Sequence, residues 1–146
     1  MGFSAGANLT VRTATNHKKP IYAAIDDVDK MSCRPDFQLP IYPWDLLERV
    51  DPTTPWKGHK GLEIRAAEYP VDADTPRAFI VQSQDDFCMP ETSLAYYAAL
   101  KRAGVKAEMH LFAKGGHGYG IRKHGTDVDG WEKLAATWLK KIKGGK

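Results

Sequence analysis

The sequence predicts an α/β protein built on a parallel sheet, and three observations predict it. Ala78-Phe79-Ile80-Val81 is a continuous apolar run, as a strand covered on both faces requires. Trp131, Leu134, Ala135, Trp138, Leu139 and Ile142 fall at offsets 0, 3, 4, 7, 8 and 11, an apolar stripe of helical period. Between these, strand-like and helix-like segments alternate, the order that parallel strands with crossover helices demand.

Taken in order, residues 5–15 lack proline and are rich in small side chains, which predicts a helix with Leu9 and Val11 as its larger apolar groups. Asn16-His17-Lys18-Lys19-Pro20 ends it. A loop follows, and FQLPIY over 37–42 reads as a short strand despite Pro40, which removes a ladder donor. Five prolines lie in 43–76, so a long, partly irregular excursion is expected there. After the strand at 78–81, residues 91–103 form a helix with Leu94, Tyr97, Ala98 and Lys101 on one side. Gly104 follows as its C′ residue. AEMHLFA over 107–113 alternates, with Met109 and Leu111 on one face, and reads as a strand. Asp129 with Glu132 is a capping-box variant ahead of the last helix.

Composition bounds the class. A chain of 146 residues suits one domain, and 42% hydrophobic with 27% charged residues is ordinary for a globular fold. The net charge is only +3, and Lys140, Lys141, Lys143 and Lys146 read as a solvated helix end rather than a nucleic-acid arm. No apolar run approaches the roughly 18 residues of a transmembrane helix. No signal peptide is visible, which leaves the compartment unassigned. Cys33 and Cys88 are too few for a disulfide framework and are read as two buried or half-buried thiols.

Three short stretches carry chemistry. Gly2-Phe3-Ser4-Ala5-Gly6 reads G-x-S-x-G with a helix directly behind it. In such an elbow, small residues let strand and helix backbones approach closely around a strained serine. Gln84-Asp85-Asp86-Phe87-Cys88-Met89-Pro90 follows the apolar run, which puts Asp85 and Asp86 at the carboxyl end of a parallel strand, where α/β proteins bind ligands. Either carboxylate could orient a histidine, and the other would be a solvated or N-cap residue. Lys114-Gly115-Gly116-His117-Gly118-Tyr119-Gly120 sets His117 on a glycine-rich, exposed and mobile loop. No phosphate-loop register fits those glycines. His110, His117 and His124 share no face, so no metal site is expected.

The order Ser…Asp…His, each just past a strand or at a helix start, is that of the α/β-hydrolases. GFSAG, SCRPDFQLPIYP, QDDFCMPETSLAYYAALKRAGVKAEMHLF, GGHGYG and the final tryptophan-bearing helix resemble, in order and spacing, the C-terminal portion of esterases of the acetyl xylan esterase and dienelactone hydrolase type, a group often named xylanase or prolyl oligopeptidase-like. The resemblance covers nearly the whole chain. It implies Ser4 as nucleophile, Asp86 rather than Asp85 as triad acid, His117 as base and the Ala5 N–H as one oxyanion donor. It also implies hydrolysis of short-chain acyl esters without a cofactor, on a small-molecule or carbohydrate ester, with no nucleic acid or membrane as partner. A prolyl oligopeptidase-like peptidase and a non-catalytic hydrolase fragment are the alternatives. Ala7-Asn8 stands where relatives commonly carry Gly-His, a packing difference near the site.

Only Met1 stands before the elbow, so an incomplete α/β-hydrolase fold is expected over 1–146, lacking the elbow's own strand, those before it and the glycine-rich loop that donates the second oxyanion N–H. Weak catalysis and self-association through a bare sheet edge would follow. Tyr42, Trp44, Trp56 and Tyr119 could form an aromatic platform for sugar.

Overall fold

A computed structural model describes residues 1–51 and 59–144. Along the chain lie β1 (Gly2–Phe3), α1 (Ala5–Asn16), β2 (Phe37–Gln38), β3 (Pro40–Ile41), β4 (Leu47–Arg49), β5 (His59–Ile64), β6 (Arg77–Ser83), α2 (Glu91–Arg102), β7 (Ala107–Phe112) and α3 (Trp131–Gly144). β1, β2, β3, β6 and β7 make one sheet, and every pairing in it is parallel.

The strand expected over 37–42 is present in two pieces, β2 and β3. Phe37 faces Arg77 and Ile41 faces Val81, so both pieces keep one register on β6. Pro40 causes the break. The Tyr42 N–H donates to Val81 O at 2.8 Å, so by alternation the N–H that Pro40 lacks would also point at β6. On the other side the carbonyls of Leu39 and Ile41 accept from the Gly2 and Ser4 N–H groups, at 3.2 and 3.1 Å. Those two bonds make Gly2–Phe3, the first two residues of the elbow motif, a two-residue strand that leads into Ser4.

β6 is the hinge of the core. Ala78 and Ile80 face a cluster with Tyr96, Ala99 and Leu100 of α2 and Val11 of α1. Phe79 and Val81 face the opposite cluster, with Trp131, Ala135 and Trp138 of α3. A strand buried on both faces needs no polar alternation, which is why its sequence is continuously apolar. Of the stripe on α3, Trp131, Ala135 and Trp138 are buried as its period predicts, Leu139 and Ile142 are half-buried, and Leu134 is exposed. Asp129 does not cap α3; its carboxylate accepts the N–H groups of His124 and Gly125 in the preceding turn.

Leu94, Tyr97, Ala98 and Lys101 share one side of α2 as expected, and the fully buried side lies beside it, with Tyr97 partly buried against the same cluster. Thr92, Ser93, Ala95, Tyr96, Ala99 and Leu100 face inward, Leu94, Tyr97 and Ala98 are half-buried, and Lys101 is exposed. Gly104 follows the helix at φ 73°, the left-handed conformation that a C′ glycine adopts. In α1 Val11 is fully buried, whereas Leu9 is exposed.

The proline-rich excursion is more regular than its sequence suggests. β4 and β5 pair antiparallel, with Leu47 opposite Ile64. Arg65 anchors this ribbon, donating to the Asp45 carboxylate at 3.0 Å, to Leu47 O at 2.8 Å and to the Tyr69 hydroxyl at 3.1 Å.

Candidate active site

The carboxyl ends of β1, β6 and β7 lie at one edge of the sheet, and each is followed within five residues by a chemistry-bearing side chain: Ser4, Asp86 and His117. Ser4 stands between β1 and α1 with φ 51° and ψ −118°. A non-glycine residue pays roughly 1–3 kcal/mol for such a backbone. Ser4 is held there because its N–H donates to Ile41 O and its carbonyl accepts from Ala7, Asn8 and Trp44. As N-cap of α1 its hydroxyl would ordinarily satisfy a helix N–H. It makes no such bond and points instead at His117, 2.8 Å from Nε2.

Gly2 permits this turn. A Cβ there would sit 2.1 Å from the carbonyl oxygen of Gly6 and 2.5 Å from Thr10 Oγ1. Gly6 has no such need, since a Cβ on it meets nothing within 4 Å, which corrects the expectation of close approach at both glycines. Ala5 opens α1, so its N–H is among the first amides that no helical carbonyl reaches.

The Asp85-Asp86 pair divides its work. Asp86 is buried, with its carboxylate oxygens 2.9 and 2.8 Å from His117 Nδ1. A carboxylate accepts only, so Nδ1 carries the proton, and the neutral ring then offers Nε2 as acceptor to the Ser4 hydroxyl. Asp86 also accepts from Cys88 N at 2.7 Å and from Gln82 Nε2 at 2.8 Å. Asp85 is neither a free surface charge nor a helix cap. It accepts the N–H groups of Gly115 and Gly116 at 2.9 and 2.7 Å and so ties down the loop that carries His117.

That loop is anchored rather than loose, which corrects the expectation of an exposed histidine. His117 packs edge-on against Tyr42 at 4.9 Å and lies 5.3 Å from the Phe87 ring. Ser83 Oγ donates to Gly116 O. Gly115 is required because a Cβ would fall 2.3 Å from Val128 Cγ1. Phe87 itself is exposed at the lip of the site.

Asn8 answers the Ala7-Asn8 departure. Its amide donates to Trp44 O and Tyr69 OH, each at 2.9 Å, and pins α1 to the segment after β3. Of the four aromatic residues considered for a sugar platform, Tyr42 and Tyr119 are buried against each other with centroids 4.4 Å apart, and both phenol pKa values are pushed up by burial. Trp56 lies outside the described residues. Tyr42 and Tyr119 therefore offer no free ring face to a ligand.

Sequence reasoning did not find Gln82, Asp85's role or Phe87. The adjacency of two aspartates to a glycine-rich loop was the one available signal for Asp85. Among the described residues, Asp86, Cys88 and His117 are the one group whose potential metal-ligand atoms cluster, within 4.8 Å. The carboxylate and imidazole atoms of that group are already hydrogen-bonded to each other. Both cysteines are free thiols; Cys88 is half-buried as expected, whereas Cys33 is exposed, which corrects the expectation of burial there. No described helix is long and apolar enough to cross a membrane. A pocket of about 680 Å³ lies at the amino ends of β2, β6 and β7, lined by Arg77 and Lys106 among others, and contains none of these side chains.

A parallel sheet covered by helices on both faces, with a strained serine on the strand–helix turn, defines an α/β-hydrolase. Residues 1–146 match the prolyl oligopeptidase family throughout, and the chain belongs to it. It is 26% identical over 157 aligned residues to an acetylxylan esterase of Xylanibacter ruminicola, covering 97% of this chain and 30% of that protein. Among solved structures it resembles an acetyl ester-xyloside bifunctional hydrolase from Caldicellulosiruptor lactoaceticus, with TM-score 0.77, 31% identity, and coverage of 97% of this chain and 55% of that one. A sugar hydrolase from Lactococcus lactis aligns with TM-score 0.63 and 26% identity over 97% of this chain and 57% of its own. The chain thus spans about a third of the curated relative's length and somewhat over half of each of these solved structures.

Proposed function

We propose that the chain carries the catalytic triad of a serine esterase that cleaves short acyl esters, acetyl esters among them. The observation that carries this reading is the single line of contacts from Ser4 Oγ to His117 Nε2 at 2.8 Å and from His117 Nδ1 to the Asp86 carboxylate at 2.8 Å. His117 takes the serine proton as Oγ attacks the ester carbonyl, and Asp86 holds the ring in the Nδ1–H tautomer and stabilises the imidazolium. The Ala5 N–H supplies one donor to the developing oxyanion. The imidazolium then protonates the departing alcohol. Water attacks the acyl-serine with the same histidine as base. These steps need no cofactor. The acetylxylan esterase and the acetyl ester-xyloside hydrolase among its relatives make acetylated carbohydrate the substrate class of choice.

A fluorophosphonate probe tests the mechanism without a substrate guess. Mass spectrometry should find the adduct on Ser4, and Ser4→Ala should abolish both the adduct and p-nitrophenyl acetate turnover. Labelling at another residue ends this reading. The family's name favours one second reading, a peptidase; hydrolysis of a prolyl peptide anilide faster than of acetyl esters would select it.

A further inference from the structure

Asp86 is not the end of the hydrogen-bonded line that begins at Ser4. Gln82, the next-to-last residue of β6, is 1% exposed, and its amide Nε2 donates to Asp86 Oδ2 at 2.8 Å and to Ser83 O at 3.2 Å. Its Oε1 accepts from Ser93 Oγ at 2.8 Å, and Ser93, on α2, is fully buried. Both amide hydrogens and the carbonyl are thereby used. A flipped amide would set Oε1 against a carboxylate oxygen, two acceptors with no proton between them, and would leave buried polar atoms unpaired.

We propose that Gln82, oriented by Ser93, is a positioning residue that fixes the Asp86 carboxylate and through it the Nδ1–H tautomer of His117. The proposal rests on the triad reading above. Three N–H donors converge on this buried carboxylate: Gln82 Nε2, Cys88 N and His117 Nδ1. The Cys88 donor comes from the backbone of the same turn and moves with Asp86. Gln82 is on the strand, so it alone among the three references the carboxylate to the rigid sheet. Ser93 extends that reference to α2, and the line Ser93–Gln82–Asp86–His117–Ser4 crosses from one helix, over the sheet, to the strand–helix turn. A carboxylate free to rotate would let the imidazole drift, and a misplacement of about 1 Å costs a rate factor of roughly 10².

The test uses the full chain with Gln82→Met, which keeps length and bulk but donates nothing, Ser93→Ala, and the double variant. The readouts are the fluorophosphonate labelling rate and the low-field imidazole N–H proton resonance of His117. Gln82→Met should label about tenfold more slowly, as the loss of a hydrogen bond to a charged group implies, and broaden or lose the low-field resonance. Ser93→Ala should slow labelling less, and the double variant should be no slower than Gln82→Met, because Ser93 acts only through Gln82. Labelling at the parental rate with an unchanged resonance overturns the proposal, as do effects of the two substitutions that simply add. Failure of the triad reading looks different. The parent then carries no adduct on Ser4, while the resonance, which needs no substrate, still reports whether Gln82 holds the Asp86–His117 pair.

Discussion

At the scale of single residues, Cys88 reports on the environment of Asp86. Burial pushes its thiol pKa up, and the nearby Asp86 charge pushes it further the same way. A raised pKa leaves less thiolate at any given pH below it, and the thiolate is the reactive form. Cys33 is exposed. With Ellman's reagent at pH 8, Cys33 should react first and Cys88 about tenfold more slowly, the Cys88 rate climbing as pH rises further. Two thiols reacting at one rate would contradict the burial described here. The same neighbourhood shows what the sequence could carry. Ser4 and His117 stand in glycine-flanked motifs that announce them. Asp85 and Asp86 are indistinguishable as letters, because the turn after β6 decides which carboxylate faces the imidazole and which faces the Gly115 and Gly116 amides. Gln82 leaves no sequence mark at all, since one buried glutamine in an apolar strand looks like any other.

At the scale of elements, the two elbow glycines predict opposite outcomes. Gly2 lies where β1 meets α1, and an added Cβ would overlap the Gly6 carbonyl, so Gly2→Ala must push strand and helix apart. Overpacking of this kind costs about 1–3 kcal/mol, and the displaced turn should also slow fluorophosphonate labelling of Ser4. Gly6 lies within α1 with open space at its Cβ position. Gly6→Ala should therefore stabilise the chain by roughly 0.5–1 kcal/mol through the lower backbone entropy of alanine in the unfolded state. Urea unfolding of both variants checks the pair; equal and same-signed shifts would refute the packing argument. Helices and the central strand are legible because their apolar periods match their burial. The buried face of α2 is not legible, because Thr92 and Ser93 go inward, Ser93 to meet Gln82. The β4–β5 ribbon is hidden for another reason: the Arg65 contacts that anchor it join residues about twenty apart, a separation no local pattern records.

At the scale of the whole molecule, the distribution of apolar surface predicts association. Among the described residues, β1 and β2 form one edge of the parallel sheet and β7 the other. Beside β1 runs an open groove of about 400 Å³ lined by Met1, Leu9, Pro35 and Phe37, and Leu9 is 61% exposed. The loop after α1 also exposes Ile21, Ile25, Val28 and Met31, interleaved with the charged Asp26, Asp27, Asp29 and Lys30. Apolar surface gathered beside an unpaired strand edge is where chains pair with one another, and charge on such an edge is what prevents it. The side chains of Met1, Leu9, Pro35 and Phe37 carry no charge. The purified chain should therefore self-associate at tens of micromolar or below, an order of magnitude expected for a small apolar interface. Sedimentation velocity across a hundredfold concentration range would show the shift. Leu9→Glu places a charge on an exposed helix position without touching the core, so it should weaken association while leaving the far-UV circular dichroism unchanged. A parent chain that sediments as a monomer at every concentration would rule out the edge as a docking surface. Association unaffected by Leu9→Glu would move the contact to β7, where Leu111 is the exposed apolar side chain.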